Sequence, residues 1–385
     1  MKKLLVVNYN NAGVGKYRLL DPHIELSRIS KDIEVHFGED GDLAMLAQGK
    51  TSFDYLFIHS SVAPDVNRMN MIKTIQKNGV KLIVDIDDYW FLDSRSQISR
   101  TTRRENFHLK ITNLLKMADL VTTTTKSLAN EIKAFQKNIA ILPNCVNPNE
   151  PQFKSKKTES ERVRIGFLGG SSHLDDIRML RMGINRILTE FPDQAQFVLC
   201  GFNDTIRDIM SGKVVKNAQK SVWSEYEKIF TANFSRISPE YKKYLLRYTK
   251  DEYPNLKDES YRRIWTKPIS TYASGYNHLD ISLSPLVDNK FNIMKSQLKV
   301  IEAGFHKTPI IASNVIPYQI DLKQGENAFL VNEAKAKKDW YKYMKVLINN
   351  KELRDEMGQA LYETVKDTYN LTNVTQLRNE IYMTL

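Results

Sequence analysis

Two lysines and a glutamate stand at regular spacing in the segment 288–313, whose sequence is DNKFNIMKSQLKVIEAGFHKTPIIAS. If residues 294–305 form a helix, Lys295, Lys299 and Glu302 lie at positions i, i+4 and i+7, within one narrow stripe. The remaining positions of this helix are mainly apolar, so the helix is expected to be largely buried. Paired charges beside an apolar surface favour a ligand site over a solvated face. The alternative is a salt-bridged helix without a ligand.

Short polar residues at the start of the same predicted helix support the ligand interpretation. Asn292 and Ser296 lie where free backbone N–H groups and the helix dipole favour an anion. The helix is expected to end between Gly304 and Pro309, and a buried strand is predicted after it. We therefore expect an anionic ligand at the start of this helix.

A glycine-rich turn, GGSSH, offers a second set of groups for a phosphate. It follows the predicted strand Val163–Leu168. Gly169 and Gly170 let the backbone approach a ligand closely, and Ser171, with the N–H groups of the following helix start, can donate hydrogen bonds to phosphate oxygens. His173 stands at the end of the turn.

The first strand-to-helix connection is a third candidate, because open α/β sheets bind ligands at the carboxyl ends of their strands. After a predicted strand at 4–7, Gly13 and Gly15 allow close backbone approach. Lys16 and Arg18 can supply positive charge to the same loop. The alternative is a simple tight turn.

Three carboxylates cluster at the end of the strand predicted for 81–85, in the string DIDDYW. Asp85, Asp87 and Asp88 repel one another unless a cation or polar ligand compensates their charge, so this position favours functional use. A metal site is the competing hypothesis. No histidine lies close in the sequence, and we predict no metal here.

A basic run occupies residues 93–116 and holds a single internal acid besides the aspartate at its start. Arg100, Arg103 and Arg104 form its densest part. A solvated helix face and a patch for an anionic acceptor are both consistent with this pattern. The net charge of +11 and the pI near 9.3 agree with an anionic partner, such as nucleic acid, acidic glycans or an anionic membrane surface.

The elements that must position these residues alternate between short buried strands and helices, the pattern of an α/β fold with parallel sheets. A chain of 385 residues should form two domains, each with its own core. The polar stretch 147–162 is the predicted linker. Residues 204–262 exceed a simple crossover and are interpreted as a helical insertion.

Composition indicates a soluble protein of the cytoplasm. No run approaches the ~18 apolar residues that cross a bilayer, and the opening LLVV is too short for a secretory signal. Cys145 and Cys200 both lie in apolar surroundings, so we expect buried free thiols in a reducing compartment.

Together these motifs resemble those of nucleotide-sugar glycosyltransferases that have two facing Rossmann-like domains, the GT-B fold. The pattern on which this resemblance rests is Asn292-x-x-Lys295-Ser296-x-x-Lys299-x-x-Glu302, followed by a small-residue turn, a proline and a hydrophobic strand. It is most similar to the large retaining family four and its bacterial and phage relatives. The resemblance implies an interdomain cleft, with the glycine turn and His173 beside the donor.

The resemblance also implies roles for single residues. Glu302 would bind the nucleotide ribose, and Lys295 would hold the diphosphate, with Lys267 as a second candidate for the same role. Asp87 and Asp88 would border the acceptor side, near the first loop. Many members carry a second glutamate that contacts the donor sugar, whereas this chain has Met294 at that position.

The resemblance predicts a domain plan and a function. The function is transfer of a sugar from a UDP- or GDP-sugar to a glycan or lipid-linked acceptor, with retention and without a tightly bound cofactor. The alternatives are a phage-type enzyme that glycosylates hydroxymethylated DNA bases, and a binding module without turnover. The plan assigns 1–150 to an acceptor-side domain, 151–162 to a linker, 163–365 to a donor domain with its insertion at about 204–262, and 366–385 to a helix that crosses back to the first domain.

Overall fold

The structure is a computed structural model that describes residues 1–7, 13–60, 65–91, 106–203, 205–207, 214–216, 220–247 and 249–385. Its contacts separate two compact units. Unit 1 comprises Met1–Asn147, Asn289–Leu298 and Asp367–Leu385. Unit 2 comprises Pro148–Asp288 and Lys299–Lys366.

Unit 1 is built on a six-stranded parallel sheet in the order β2-β1-β3-β4-β5-β6. The central strands are runs of Val, Ile and Leu buried on both faces, as parallel sheets covered by helices require. The strands are β1 Lys2–Val7, β2 Ile33–Gly38, β3 Tyr55–His59, β4 Lys81–Ile86, β5 Leu120–Thr123 and β6 Ile139–Ile141.

The helices of unit 1 include one from the end of the chain, which packs against the first α-helix. A π-helical stretch, Gly15–Leu20, leads into that first helix. The described α-helices are Asp21–Ile29, Asp40–Ala47, Val66–Lys77, Phe107–Met117, Lys126–Ile132, Lys290–Ile293 and Leu371–Met383.

Unit 2 contains a second six-stranded parallel sheet, in the order β11-β8-β7-β12-β13-β14. Counted along this sheet alone, the order is 3-2-1-4-5-6, that of dinucleotide-binding Rossmann domains. The predicted α/β class with two Rossmann-like sheets is therefore confirmed. The strands are β7 Val163–Leu168, β8 Ala195–Phe202, β11 Tyr261–Trp265, β12 Ile281–Ser284, β13 Ile310–Ser313 and β14 Ala328–Val331, and a separate hairpin pairs β9 Thr205–Arg207 with β10 Val214–Lys216.

Helices cover both faces of the second sheet. The described α-helices are Pro151–Lys154, Leu174–Arg178, Arg181–Glu190, Lys220–Phe230, Pro239–Leu246, Leu298–Phe305, Ile316–Gln319, Ala336–Asn349 and Lys351–Val365. Short 3₁₀ turns are Leu256–Asp258, Tyr272–His278 and Glu333–Lys335.

The stretch interpreted as an insertion supplies part of the unit 2 core. Its two α-helices contribute Trp223, Tyr226, Phe230, Tyr241 and Leu245 to one cluster with the sheet. These side chains are nearly inaccessible to solvent. The insertion is therefore an integral part of the domain core.

One predicted helix is wrong. The sequence predicts a continuous helix from 294 to 305, whereas the helix begins at Leu298 and a separate turn of helix ends at Ile293. Met294 packs into the core of unit 1, and the Gln297 side chain donates to the Tyr369 hydroxyl at 2.6 Å. These tertiary contacts hold 289–298 in unit 1, so Lys295 does not share a helical stripe with Lys299 and Glu302.

Among the helices of the described ranges, none has the length and apolar character needed to span a membrane.

We predict that Gly166→Ala in β7 destabilises unit 2. A Cβ there would lie 2.5 Å from the Val198 carbonyl oxygen and against Leu279, in a packed core. Overpacking of this kind costs roughly 1–3 kcal/mol. Chemical denaturation measures the loss.

The control for this substitution is Gly41→Ala, within the helix Asp40–Ala47, where an added Cβ meets nothing within 4 Å. It is expected to stabilise the protein by roughly 0.5–1 kcal/mol, because alanine restricts the unfolded chain. Equal effects of the two substitutions would contradict the packing described for β7.

Candidate functional site

The candidate donor site lies where β7 and β12 end in unit 2. These strands are neighbours, yet the chain leaves them toward opposite sides of the sheet order. Such a switch point leaves a crevice at the carboxyl ends of the strands, where open α/β sheets bind ligands. The GGSSH turn follows β7, and the loop that begins at Pro285 follows β12.

The glycine turn depends on a very close approach of two backbone segments. The Gly169 N–H donates to the Cys200 carbonyl at 3.2 Å. A Cβ on Gly169 would lie 2.5 Å from the Phe167 ring and 2.8 Å from the Lys299 Nζ. Gly201 has φ +98°, and a Cβ there would lie 2.5 Å from the Gly169 oxygen. Both positions therefore require glycine, and the sequence pattern did not single out Gly201, which is the penultimate residue of β8.

A hydrogen-bonded chain joins the two loops of the crevice. His173 Nδ1 lies 2.7 Å from an Asp176 carboxylate oxygen, and the other Asp176 oxygen accepts from the Val287 N–H at 2.8 Å. Val287 belongs to the loop after β12, so Asp176 connects both sides of the switch point. Asp176 thus orients the histidine.

Tyr226 stabilises the glycine turn through two hydrogen bonds of its hydroxyl. Its hydroxyl accepts from the His173 backbone N–H at 2.8 Å and donates to the Gly170 carbonyl at 3.2 Å. Burial raises the pKa of Tyr226, so the phenol keeps its proton and can donate. This residue lies in the insertion, where the sequence carries no motif that reveals such a role.

Lys299 approaches the same crevice from the helix Leu298–Phe305, which also carries Glu302. Lys299 Nζ donates to the Leu168 carbonyl at 2.6 Å and lies 4.6 Å from the centre of the Phe167 ring. Glu302 is 3% exposed. Burial raises the pKa of the Tyr276 phenol, and the nearby Glu302 charge raises it further. Lys299 thus lies beside the glycine turn, and the same helix carries a buried carboxylate.

The predicted donor-binding residues fall into two groups. Gly169, Gly170, Ser171 and His173 belong to the turn after β7, and Lys299 and Glu302 belong to the helix Leu298–Phe305, all in unit 2. Lys267, also in unit 2, follows β11, and its Nζ donates to the Ser274 hydroxyl at 2.9 Å. Asn292, Lys295 and Ser296 belong to unit 1.

A cavity of about 770 Å³ lies at the opposite edge of the second sheet. Its walls include Arg162, Arg164 and Asp280, near the amino ends of the strands. Arg164 pairs with both Asp280 carboxylate oxygens, at 2.9 and 3.0 Å. Since ligands of open α/β sheets bind at the carboxyl edge, we do not place the donor there.

In unit 1 a buried ion pair dominates the carboxyl edge of the sheet. Arg18 and Asp85 are 1% and 0% exposed, and two guanidinium nitrogens contact the two carboxylate oxygens at 2.9 and 2.6 Å. Thr122 also donates to Asp85. Burial alone would raise the pKa of Asp85, but Arg18 outweighs it and lowers the pKa to about 2. Arg18 is therefore held in a buried ion pair of unit 1, whereas the sequence predicts it as a source of positive charge in the first loop.

The ion pair connects to the segment that carries Lys295. Arg18 Nη1 contacts the Asn144 side-chain oxygen at 3.2 Å, and Asn144 Nδ2 donates to the Ser296 hydroxyl at 2.7 Å. Lys290 pairs with Glu131 at 3.0 Å. Asn292 is buried, and its N–H donates to the Asn289 side chain at 2.9 Å.

Asp87 and Asp88 lie beside His59 and Lys295. His59 Nε2 is 3.1 Å from Asp87 Oδ1. Burial would lower the pKa of His59, but Asp87 and then Asp85 outweigh it and raise the pKa. Desolvation by surrounding protein and the charge of Asp87 raise the pKa of Asp88, while Lys295 opposes them. Asp88 is exposed, so water screens part of these charge effects.

The first loop differs from the prediction in conformation. Gly13 and Gly15 lie in helical backbone, and neither has a positive φ. Lys16 Nζ pairs with Asp21 at 2.6 Å. Arg100, Arg103 and Arg104 lie outside the described residues, so the acceptor patch stays a prediction.

Within the described ranges, no group of three or more His, Cys, Asp or Glu side chains could hold a metal ion. Cys145 and Cys200 are buried free thiols.

We predict that Asp85→Asn destabilises the protein at pH 7 by roughly 3–5 kcal/mol, because it leaves the Arg18 charge buried without its partner. The Asp85 pKa is lowered on folding, so its contribution is present above pH ~4 and is lost as pH falls toward ~2. Denaturation at several pH values should show a weaker acid dependence in the variant. An unchanged acid dependence would show that this carboxylate is not the paired group.

No protein-family model and no curated protein matches the chain. Among solved structures, the chain is similar over its whole length to HepE of Anabaena in complex with UDP and glucose, with 13% identity, coverage of 100% of both chains and a TM-score of 0.63.

Two other solved structures are similar. Sucrose-phosphate synthase from Thermosynechococcus elongatus has 12% identity and a TM-score of 0.67, with coverage of 100% of this chain and 99% of that one. A variant of TarM from S. aureus, in complex with fondaparinux, α-GlcNAc-glycerol and UDP, has 13% identity and a TM-score of 0.55, with coverage of 89% and 59%. At these identities the likeness concerns the fold. The chain therefore has the two-Rossmann-domain fold of the GT-B glycosyltransferases.

Proposed function

We propose that the chain transfers a sugar from a nucleoside diphosphate sugar to an acceptor hydroxyl. The observation that carries this proposal is the crevice of unit 2. There, at the switch point of a Rossmann-ordered sheet, a lysine contacts the strand end that precedes a glycine turn, and the helix of this lysine also carries a buried glutamate. HepE, solved with UDP and glucose, has the same fold and supports the proposal.

The donor would bind with its anionic and sugar parts on different groups. The diphosphate would accept hydrogen bonds from the Gly169–Ser171 turn, where backbone N–H groups meet a helix start. Glu302 would accept hydrogen bonds from the ribose hydroxyls, as expected for a carboxylate facing two neutral donors. Lys299 and His173 line the same crevice, and Asp176 and Tyr226 position the turn.

Catalysis would rest on electrostatic stabilisation of the leaving diphosphate. Cations and N–H dipoles in fixed positions stabilise the charge that develops as the glycosidic bond breaks. Lys295 and Lys267 are the candidate cations besides Lys299. We propose transfer with retention, a UDP- or GDP-sugar as co-substrate, and no tightly held metal.

The acceptor groups proposed in unit 1 are Asp87 and Asp88. Their carboxylates can accept a hydrogen bond from an acceptor hydroxyl, and their open positions at the end of β4 suit that role. We propose a glycan or lipid-linked saccharide as acceptor, and docking of the protein at an anionic surface. The TarM variant, solved with a glycoside and UDP, agrees with a glycan acceptor. A DNA acceptor depends on the arginine run outside the described residues.

A binding module without turnover is the second candidate function. Met294, where many family members have a sugar-contacting glutamate, is 5% exposed and belongs to the core of unit 1. It therefore contributes packing and no hydrogen bond to a sugar. A donor could bind through its diphosphate and ribose alone, without being positioned for transfer.

The proposal is tested with Glu302→Ala. Loss of charged hydrogen bonds to the ribose should weaken donor binding by roughly 1.5–3 kcal/mol, which is about ten- to a hundredfold. Calorimetric titration with a panel of UDP- and GDP-sugars measures binding, and release of free UDP or GDP without acceptor measures turnover.

The control is Glu326→Ala, a side chain 70% exposed in the same unit. It should bind the donor as the unchanged protein does. Binding without nucleotide release by the unchanged protein would favour the binding module. Equal donor affinity in both variants would remove Glu302 from the site.

A further inference from the structure

A fully buried arginine in unit 1 has donors that no described residue uses. Arg378, in the helix Leu371–Met383, is 0% exposed. Its Nη1 donates to the Tyr382 hydroxyl at 2.9 Å. Its Nε and Nη2 have no hydrogen-bond partner among the described residues.

The two unused donors have a specific geometry. Nε–H and one Nη2–H lie on the same edge of the planar guanidinium and point in parallel. This edge pairs side-on with two oxygens of one carboxylate or similar oxyanion. Thr375, one helical turn earlier on the same face, also has a buried hydroxyl without a partner in the described part of the chain.

The surrounding acids cannot neutralise Arg378, because each already pairs with another cation. The charges of Arg378, Arg18, Asp21 and Glu25 all act on the pKa of the buried Cys145 thiol. Apart from Arg378, the ionised groups in this neighbourhood form local pairs. These pairs are Lys16 with Asp21, Arg18 with Asp85, and Arg28 with Glu25. The described ion pairs thus leave Arg378 without a carboxylate in direct contact.

His23 does not change this balance. Its Nδ1 lies 2.6 Å from the Leu19 carbonyl, and its Nε2 lies 3.3 Å from the Tyr382 hydroxyl. Burial and the Arg378 charge lower the pKa of His23 to about 3, so the ring is neutral at physiological pH. Tyr382 therefore accepts from Arg378 and donates to His23, which leaves the Nε/Nη2 edge of Arg378 for another acceptor.

We propose that Arg378 and Thr375 bind a small oxyanion inside unit 1, one that offers two coplanar oxygens to the guanidinium edge. A buried cation is strongly unfavourable without such a partner. The helix that carries both residues comes from the end of the chain and packs on the helix Asp21–Ile29. A bound oxyanion would therefore hold the terminal helix on the unit, and binding only to the folded state stabilises it by mass action.

The experiment compares thermal unfolding in sodium formate and in sodium chloride at equal ionic strength. Formate is the smallest carboxylate, and a parallel series uses inorganic phosphate as a tetrahedral oxyanion. The proposal predicts that the Tm rises with the logarithm of formate concentration, relative to chloride. Phosphate would raise the Tm as well if the site accepts a tetrahedral anion.

Variants separate this site from general salt effects, which act on all folded proteins. Arg378→Lys keeps the charge but lacks the two-donor edge, and Arg378→Met removes both. Each should lose the formate-specific rise, and Thr375→Val should reduce it. The matched control is Lys77→Met, which removes an equal charge from an exposed position in unit 1 that pairs with none of these acids, and it should respond to formate as the unchanged protein does.

Two results would overturn the proposal. One is an equal Tm of the unchanged protein in formate, phosphate and chloride. This measurement does not depend on whether any variant folds. The other is an oxyanion response that persists undiminished in Arg378→Lys or Thr375→Val, which would place the anion elsewhere.

Discussion

The close approach of the β7 and β8 ends, at Gly169 and Gly201, is the constraint on which the candidate donor site depends. Neither residue can carry a Cβ without meeting the backbone or ring of its neighbour. Because the turn lies so close to the sheet, Lys299 reaches the carbonyl that ends β7. Tyr226 can then fasten the turn through one hydroxyl. The polar groups of the crevice are thus positioned by backbone packing, before any ligand binds.

At the carboxyl edge of the sheet in unit 1, a buried ion pair takes the place of the close backbone approach seen in unit 2. A buried Arg18–Asp85 pair, extended through Asn144 to Ser296, joins the π-helical stretch Gly15–Leu20, β4 and the segment 289–298. Burying two charges is unfavourable unless geometry and additional hydrogen bonds compensate, so the pair specifies one arrangement more than it adds stability. Asp87 and Asp88 are then held next to His59 and Lys295 at the surface of this arrangement.

Much of this could be predicted from the sequence, because strands buried on both faces and glycine turns are local signals. The runs at 163–168 and 81–85 predict two strands that the structure contains as β7 and β4, with GGSSH after the first and the carboxylates of DIDD at the end of the second. The prediction of a helix over 294–305 is wrong because the tertiary contacts of Met294 and Gln297 in unit 1 outweigh the local helix preference. Nothing local marks Tyr226, Gly201 or Arg378, whose importance depends on residues far away in the chain.

The central claim, that a nucleoside diphosphate binds in the crevice of unit 2, is tested most directly by hydrogen–deuterium exchange with and without UDP or GDP. The account predicts slower exchange in peptides that cover 168–174 and 298–306, because backbone N–H groups of the turn donate to phosphate and Glu302 engages the ribose. Peptides that cover the cavity residues Arg162 and Arg164 should be unaffected. Protection at that cavity, with unchanged exchange at 168–174, would contradict the account.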